Sequence, residues 1–427
     1  MTLNPRNLDM NKQEFTARLA ELEQRFENMQ PELETVLRDP ENDVEGYVVV
    51  WNTGISADGP LARCGKGGTR ITPDVTLEEV KMLARRMALK NAAAGLPLGG
   101  SKSGLKADPD AADFEKKYRR FAQLCKPFLF ENGGVFGGFG FDIGARPVHP
   151  HWICDELSST RCFTGKPVEM GGTDYDREGI AGLGVAVAAK AALEEDGTSA
   201  KGAKFAVQGA GAMGGAVIRY FSAYGGVLDS VADPRLGGTW IFGENGAPDD
   251  LVGALGQGAF DTAQTLLNDG GYEHLPDDNE AVLYRAVEAV FPCAVQDVVT
   301  KDNAAKIKAP YLVEGANGPC TAEAHKLLHK QGVIVIPDFI ANPGGIIAAY
   351  VEMTSSATAE ENAKTRIKVK EAKALTEAKI AENVAKLMRL VRDLDVPPVR
   401  AGLYLALCGI FGLHDDAEKA AAQKQAV

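Results

Sequence analysis

The stretch FAVQGAGAMGGAVIRYF, residues 205–221, decides the fold class of this chain. Its first residues are typical of a buried strand and its last residues are typical of a helix. Between them, Gly209, Gly211 and Gly214 have the spacing G-x-G-x-x-G. This pattern is weak alone, but after a strand and before a helix it is the turn in which glycines bring the backbone close to a pyrophosphate. The stretch therefore predicts a dinucleotide-binding turn, with the phosphates at the positive end of the helix.

The residues around this turn complete the predicted cofactor site. Ala212 and Met213 lie within the glycine pattern. Asp233 ends the next strand about 20 residues on, where a ribose-binding acid belongs. Its carboxylate would accept hydrogen bonds from both ribose hydroxyls and repel a 2′-phosphate, which favours NAD. Arg235 follows two residues later, and because a guanidinium can accommodate that phosphate, NADP stays open.

Further strands alternate with helices or loops through AVEAVFPC, PYLVEGA and GVIVIPDF. This alternation predicts an α/β fold with a doubly wound parallel sheet. A chain of 427 residues can bury a large core, and ordinary domain sizes make two domains the natural expectation.

Composition limits the classes of partner and compartment. A net charge of −12 argues against nucleic acid or a membrane surface as partner, because no face need be basic. The apolar run at 401–413 is too short to span a bilayer, and the polar N-terminal stretch MTLNPRNLDMNKQEF lacks the core of a secretory signal. The 7 cysteines have no C-x-x-C pair and the 6 histidines have no ligand spacing. We therefore expect a reducing, cytoplasmic location and no metal.

Charged residues stand out in three segments of the N-terminal half. The stretch LPLGGSKSG, 96–104, sets Lys102 between glycine pairs and is expected to form a loop, and Asp142 lies in GGVFGGFGFDIGARP. A helix predicted over 76–95 carries Lys90 beside its apolar stripe. Taken singly, turn chemistry explains Lys102 and Asp142, and a solvent-directed lysine explains Lys90.

Read together, the motifs resemble the glutamate, leucine, phenylalanine and valine dehydrogenase family over nearly the whole chain. Seven blocks in the family's order are far more specific than any single motif. They are GKGGTRITPDVTLEEV, MALKNAAAGLPLGGSKSGLKADP, FGFDIG, TGKPVEMGG, PCAVQD, LVEGANGP and IPDFIANPGGII.

The resemblance implies a role for each charged residue. Lys102 and Asp142 match the catalytic lysine and aspartate, and Lys90 resembles the residue that binds the substrate's α-carboxylate. Lys66 matches the lysine that glutamate-specific members use for the distal carboxylate. A lysine whose pKa falls to about 7–8 can take part in proton transfer at neutral pH, which oxidative deamination requires.

The resemblance also extends the cofactor and substrate sites. Ala294, in PCAVQD, is implied to bind the cofactor, and Asn317 and Asn342 resemble residues near the nicotinamide. In the substrate pocket, Ala181 and Ala349 stand where glutamate-specific members carry hydroxyl side chains. Leucine-type members also have an apolar residue at the position of Ala349, so the distal pocket is expected to be more apolar than in a glutamate enzyme.

Lys66 argues for an acidic substrate. Apolar-substrate members replace this lysine, because an unpaired buried ammonium facing an aliphatic chain is costly. However, the residues LARCG, 61–65, separate Gly59-Pro60 from Lys66, whereas the family keeps them adjacent. This insertion could displace the lysine, so an apolar amino acid stays open as substrate.

The predicted function is reversible NAD(P)-dependent oxidative deamination of an L-amino acid, with L-glutamate, 2-oxoglutarate and ammonia as the favoured reactants. One alternative is a leucine-, valine- or phenylalanine-type enzyme with an apolar pocket. Another class of protein, a non-catalytic nucleotide-binding regulatory paralogue, is expected to lack Lys102 or Asp142, and both are present.

The resemblance also guides the predicted organisation. We expect a substrate-binding and oligomerisation domain over 1–180, a Rossmann-like NAD(P)-binding domain over 181–349, and C-terminal helices over 350–427 that return to the first domain. The family resemblance implies a homo-oligomer, commonly a hexamer.

Overall fold

The computed structural model describes residues 10–413 and divides them into two compact units. The units comprise, first, residues 10–174, Ile346–Ala372 and 403–413 and, second, Tyr175–Gly345 and Lys373–Gly402. Residues 1–9 and 414–427 lie outside the described residues. The start of the N-terminal stretch interpreted above and the end of the predicted C-terminal segment fall there.

The first unit is built on a mixed five-stranded sheet. Its strands are β1 (Leu33–Asp39), β2 (Val44–Trp51), β3 (Gly65–Lys66), β4 (Thr69–Thr72) and β5 (Gly99–Lys106). The order is β1-β2-β5-β3, with β4 also on β5; β1, β2 and β5 pair antiparallel, whereas β3 and β4 run parallel to β5. A separate parallel pair is formed by β6 (Phe139–Gly140) and β7 (Phe163–Thr164). The helices of this part of the chain are α1 (Lys12–Glu27), α2 (Leu77–Ala93), α3 (Phe114–Cys125) and α4 (His149–Leu157).

Strand β2 contains a continuous apolar run because both of its faces are buried. Val48 and Val50 pack with Tyr118 and Phe121 of α3 in one hydrophobic cluster. Val49 points to the opposite face of the strand and is also fully buried. A strand covered on both faces is apolar at every position rather than at alternate ones.

The segment 96–104 does not form the expected loop, because most of it belongs to β5. Its glycines serve close packing. A Cβ at Gly100 would lie 2.3 Å from the Ala88 nitrogen and 2.4 Å from the Ala84 oxygen, so only glycine lets α2 lie directly on the strand. The prediction failed because this packing is a tertiary contact that the local pattern does not contain. Lys102 consequently stands on a strand within the sheet.

The second unit has a seven-stranded sheet. Its strands are β8 (Lys204–Gln208), β9 (Val227–Asp233), β10 (Gly238–Ile241), β11 (Glu273–Pro276), β12 (Ala289–Pro292), β13 (Tyr311–Val313) and β14 (Ile334–Ile336). The order is β11-β10-β9-β8-β12-β13-β14. Its helices are α5 (Tyr175–Glu178), α6 (Ile180–Glu195), α7 (Ala212–Ala223), α8 (Asp249–Gly256), α9 (Phe260–Asp269), α10 (Ala322–Lys330) and α11 (Asp338–Ala341).

Most of this sheet is parallel, as the alternation predicts, and the strand order reverses beside β8. Ligands of such sheets bind beyond the carboxyl ends of the strands at this reversal. The antiparallel strands β10 and β11 extend one edge and were not predicted. Each has only four residues, too few for a clear periodic signal.

The C-terminal part is helical, with α12 (Gly344–Thr354), α13 (Ala359–Thr365), α14 (Ile367–Leu394) and α15 (Pro398–Ile410). The expected return of everything after residue 350 to the first domain differs from the structure, because residues 373–402 group with the second unit. Within that unit Lys373 pairs with Glu178 at 2.8 Å, and Arg392 pairs with Glu195 at 3.0 Å.

Among residues 10–413, no helix combines the length and the apolar character needed to cross a membrane.

The contact between α2 and β5 can be tested by Gly100→Ala. Because the added methyl would overlap backbone atoms of the helix, we expect the free energy of unfolding to fall by about 1–3 kcal/mol. Gly253→Ala is the matched control, since a Cβ at this position of α8 meets nothing within 4 Å. That change should be neutral or stabilise by about 0.5–1 kcal/mol. Urea unfolding at equal protein concentration measures both, and equal effects would contradict the close-packing role.

Candidate active site

A chain of four charged side chains runs from β5 to α2 in the first unit. The Lys102 Nζ atom lies 2.6 Å from Asp142 Oδ2, and the same oxygen accepts a 2.9 Å hydrogen bond from Arg70 Nε. Arg70 in turn donates from Nη1 to Glu79 Oε1 at 2.6 Å. Lys102 is only 7% exposed at its side chain, against 18% for Asp142. The lysine and aspartate predicted to be catalytic are thus brought into direct contact.

Burial and charge set the protonation of this pair. Burial lowers the pKa of Lys102, and Arg70 adds to this effect, while Asp142 opposes it. Burial alone would raise the pKa of Asp142, but Lys102 and Arg70 outweigh it and hold the pKa of Asp142 below its ordinary value. The aspartate is therefore a carboxylate at neutral pH, beside a lysine that releases its proton more readily than an exposed lysine.

Lys66 ends the short strand β3 and is fully buried. Its Nζ atom donates to three main-chain carbonyls, those of Phe139 at 2.6 Å, Gly138 at 2.8 Å and Gly67 at 3.2 Å. Burial lowers the pKa of Lys66 to about 7. The three carbonyls satisfy its donors. Because the pKa of Lys66 lies near neutral pH, a small change in the charge of its surroundings changes its protonation. Its proposed contact with a distal carboxylate stays a prediction.

The other predicted substrate residues lie on helices. Lys90 is half-buried in the last turn of α2, and Ala349 is buried on α12, both in the first unit. Ala181 belongs to the second unit, where it lies near the start of α6.

A buried ion pair that the sequence reasoning missed lies near Lys66 in the first unit. Lys166 Nζ lies 2.8 Å from Glu352 Oε2, and Glu352 Oε1 accepts hydrogen bonds from Thr173 N at 2.8 Å, Thr173 Oγ1 at 2.7 Å and Gly165 N at 3.0 Å. Both side chains line a cavity of about 440 Å³ together with Gly138, whose carbonyl accepts from Lys66. Lys166 stands in the quoted block TGKPVEMGG, but nothing local points to a partner 186 residues away.

The glycines of the predicted dinucleotide turn have three different surroundings. Gly209 has a positive φ of 86°, and a Cβ there would lie 2.7 Å from Ala294 Cα. A Cβ at Gly214 would lie 1.7 Å from the Gly209 oxygen, so this glycine allows strand and helix to pack closely. A Cβ at Gly211 would meet only an Arg235 nitrogen, at 3.5 Å. The middle glycine thus faces open space at the N-terminus of α7, which fits a pyrophosphate.

Asp233 ends β9, and its carboxylate accepts a hydrogen bond from Ala210 N at 2.9 Å. Arg235 grips the same carboxylate through Nε and Nη2, each at 3.0 Å, and its guanidinium lies 3.7 Å from the centre of the Phe260 ring. Burial alone would raise the pKa of Asp233, but the hydrogen bonds from Arg235 outweigh this effect and lower the pKa below its ordinary value. The predicted ribose-binding acid is therefore ionised and held beside the turn.

The remaining predicted cofactor residues follow neighbouring strands of the same sheet. Ala294 follows β12 and lies against Gly209. Asn342 Nδ2 donates to Asn317 Oδ1 and to the Gly315 carbonyl, both at 3.1 Å. Asn342 Oδ1 is buried and has no hydrogen-bond partner among the described residues. An amide acceptor left open beside a second amide fits the carboxamide of a nicotinamide.

Comparison with known proteins extends these observations. Residues 171–402 match the family model described as Glutamate/Leucine/Phenylalanine/Valine dehydrogenase, and residues 33–159 match the one described as Glu/Leu/Phe/Val dehydrogenase, dimerisation domain. The NADP(+)-dependent glutamate dehydrogenase of Pyrobaculum calidifontis is 35% identical over 318 residues, covering 72% of each chain. The NAD-specific glutamate dehydrogenase of Peptoniphilus asaccharolyticus is 32% identical over 348 residues, covering 75% of this chain and 79% of the relative.

The fold is also similar to that of solved structures. The hetero-hexameric glutamate dehydrogenase from Thermus thermophilus, in its leucine-bound form, superposes with a TM-score of 0.66 at 24% identity, covering 94% of this chain and 96% of that one. Because the two family models together match most of the chain and the Pyrobaculum calidifontis enzyme is 35% identical over 72% of it, the chain belongs to the glutamate/leucine/phenylalanine/valine dehydrogenase family.

Proposed function

We propose that this chain catalyses the reversible NAD(P)-dependent oxidative deamination of L-glutamate to 2-oxoglutarate and ammonia. The observation that carries the proposal is the buried contact of 2.6 Å between Lys102 and Asp142. A regulatory paralogue without activity would have no need of a lysine with a lowered pKa held against an ionised carboxylate. The relatives named above support glutamate as the substrate.

The chemistry follows from the protonation of this pair. A bound nicotinamide would supply the hydride acceptor. Once the substrate amine has lost a proton to solvent, removal of the hydride from Cα leaves an iminium. Neutral Lys102 takes a proton from water as the water oxygen bonds to Cα, and Asp142 stabilises the ammonium that results. Lys102 then returns this proton to the substrate nitrogen, and ammonia leaves as the C–N bond breaks while the Asp142 carboxylate accepts the hydroxyl proton and the carbonyl forms. Arg70 keeps the Asp142 oxygen in place throughout, because it bonds the same atom as Lys102.

Lys102→Met and Asp142→Asn test these roles. Each change removes one partner of the proton transfer, so we expect kcat to fall by about 10²–10⁴-fold while NADH binding, followed by fluorescence titration, is retained. Lys106→Met is the control, because Lys106 lies on the same strand and is exposed. Wild-type protein that binds NADH but turns over no amino acid would contradict the enzyme and favour the regulatory paralogue.

The choice of a substrate with a distal carboxylate rests on Lys66. Of the inserted residues, 61–63 form a turn, whereas Gly65 begins β3, which pairs with β5 through Lys66 and Gly100. Lys66 therefore keeps a position on a paired strand despite the insertion. The Lys66 ammonium lies at the end of β3 and donates to three neutral carbonyls, so an arriving carboxylate would displace one of them as acceptor and add the negative charge that they lack. Ala349, which lies in the same unit as Lys66, is compatible with the glutamate methylenes.

The pH dependence of substrate binding tests this role. In the free protein the pKa of Lys66 is about 7, so the ammonium loses its charge as pH rises through this value. We expect the KM for glutamate to increase from about pH 6 to about pH 8 and the KM for norvaline, which has a methyl in place of the carboxylate, to change little. In Lys66→Met this difference should disappear, and glutamate should lose more kcat/KM than norvaline. Equal losses on both substrates would exclude a contact with the distal carboxylate.

For the cofactor, we propose a preference for NAD. The ionised Asp233 carboxylate would repel a 2′-phosphate, and Arg235 is already paired with it, which reduces the charge available to a phosphate. The two relatives differ in their named cofactors, so the preference is a property to be measured on this chain.

Asp233→Ser tests the cofactor preference. Removing the carboxylate releases Arg235, and we expect the ratio of kcat/KM for NADP to that for NAD to rise at least about 10-fold, which is 1.4 kcal/mol. Arg235→Gln is the companion variant and should lower the use of NADP without a matching loss for NAD. An unchanged ratio in Asp233→Ser would show that this carboxylate does not select the cofactor.

We further propose a homohexamer. The family description of residues 33–159 as a dimerisation domain and the hetero-hexamer named in the matching structure support self-assembly. Strand β1 lies at the edge of its sheet and can pair with a second chain. The cytoplasmic location predicted from the scattered cysteines stays a prediction.

A further inference from the structure

Three buried side chains of the second unit form a cluster outside the proposed site for chemistry. They are Glu314, Cys320 and His325, and their ligand-type atoms all lie within 4.8 Å of one another. Glu314 Oε1 and His325 Nε2 are 3.2 Å apart. The sequence prediction of no metal overlooked this group, because C-x₄-H with a glutamate six residues upstream is not a familiar ligand spacing.

The local fold explains why the three residues meet. Cys320 directly precedes Thr321, whose side chain caps α10, and His325 is the fourth residue of that helix. A residue before the N-cap and the fourth residue of a helix face each other, as in a hydrophobic staple. Glu314 directly follows β13, so the end of the strand delivers its carboxylate to the same place.

The carboxylate of Glu314 lacks a compensating charge. It is 2% exposed, and its Oε2 accepts a hydrogen bond from Asp338 N at 2.9 Å. Its Oε1 has no hydrogen-bond partner and points at His325. In the described part of the chain, no lysine or arginine pairs with it. A carboxylate buried in such surroundings is stabilised by a nearby cation, and a metal ion is one such cation.

We propose that Glu314, Cys320 and His325 bind a zinc ion, with water in the fourth position. Tetrahedral ligands at about 2.0–2.3 Å from zinc are separated from one another by about 3.3–3.7 Å, close to the observed distance between the carboxylate and the imidazole. Thiolate and imidazole select zinc over magnesium or calcium. A divalent ion would also neutralise the thiolate and the carboxylate.

The ion would connect the segment after β13 to the start of α10. Asn317, in the proposed nicotinamide site, lies between Glu314 and Cys320. Burial raises the pKa of the Cys320 thiol, and Glu314 raises it further, so the thiol is protonated without metal. Binding at neutral pH therefore releases a proton. This inference concerns metal binding and does not depend on the proposed substrate.

Cobalt(II) is a direct probe, since its spectrum reports both thiolate ligation and tetrahedral geometry. The full-length protein, treated with chelator and dialysed, is titrated with Co²⁺ and then with Zn²⁺. We expect one Co²⁺ per chain, a sulfur-to-cobalt charge-transfer band, intense visible bands, and loss of both when Zn²⁺ displaces the cobalt. Zn²⁺ should also raise the thermal unfolding midpoint.

Three variants decide which residues bind. Cys320→Ser should abolish the charge-transfer band, and His325→Asn should weaken Co²⁺ binding more than about 100-fold. Cys125→Ser, at another fully buried thiol, should leave the band intact. If a variant unfolds, blocking of the Cys320 thiol from alkylation by Zn²⁺ in the wild-type protein provides the same test. Co²⁺ binding without a charge-transfer band, a band retained in Cys320→Ser, or unchanged alkylation with Zn²⁺ would overturn the proposal and leave a simple histidine–glutamate hydrogen bond.

Discussion

The close approach of α2 to β5 is the constraint on which the first unit depends. Val80, Ala84 and Ala88 recur every four residues along the helix, and a Cβ at Gly104 or Gly100 would strike one of them. Small side chains on one element and none on the other bring two backbones into contact. This contact fixes Lys102 on the strand and Glu79 on the helix, at opposite ends of the same charge chain.

The chain of charged side chains holds the Asp142 carboxylate in a fixed position beside Lys102. Arg70 reaches both Glu79 and Asp142, so the aspartate cannot turn away from Lys102 without breaking a second bond. Its two cationic neighbours share one carboxylate oxygen, so neither of them occupies Oδ1. A proton can therefore move locally without rearrangement of the backbone. Such preorganisation avoids reorganisation during the reaction.

Local patterns predicted the parts of the structure that depend on neighbours in sequence. The turn at Gly209 and the strand ending at Asp233 can be predicted because the strand, the glycine pattern and the helix are consecutive in the sequence. The sequence predicts a loop around Lys102, whereas the structure has a strand there. The glycines of this strand are required by its packing against α2, which is a tertiary contact that the local sequence does not show. The bond from Arg70 to Asp142 spans 72 residues and has no signature in spacing. The Lys166–Glu352 pair was missed for the same reason.

The edge strand β1 has a consequence for the isolated chain. It pairs with β2 on one side only among the described residues, so the backbone donors and acceptors of alternate residues along this seven-residue strand face outward. Such an edge is a template for misdirected pairing and aggregation as well as for assembly. Glu34 and Arg38 place charges along it, which is how exposed edges discourage flat stacking. Correct assembly would then also act as protection, because a covered edge cannot recruit a partly folded chain.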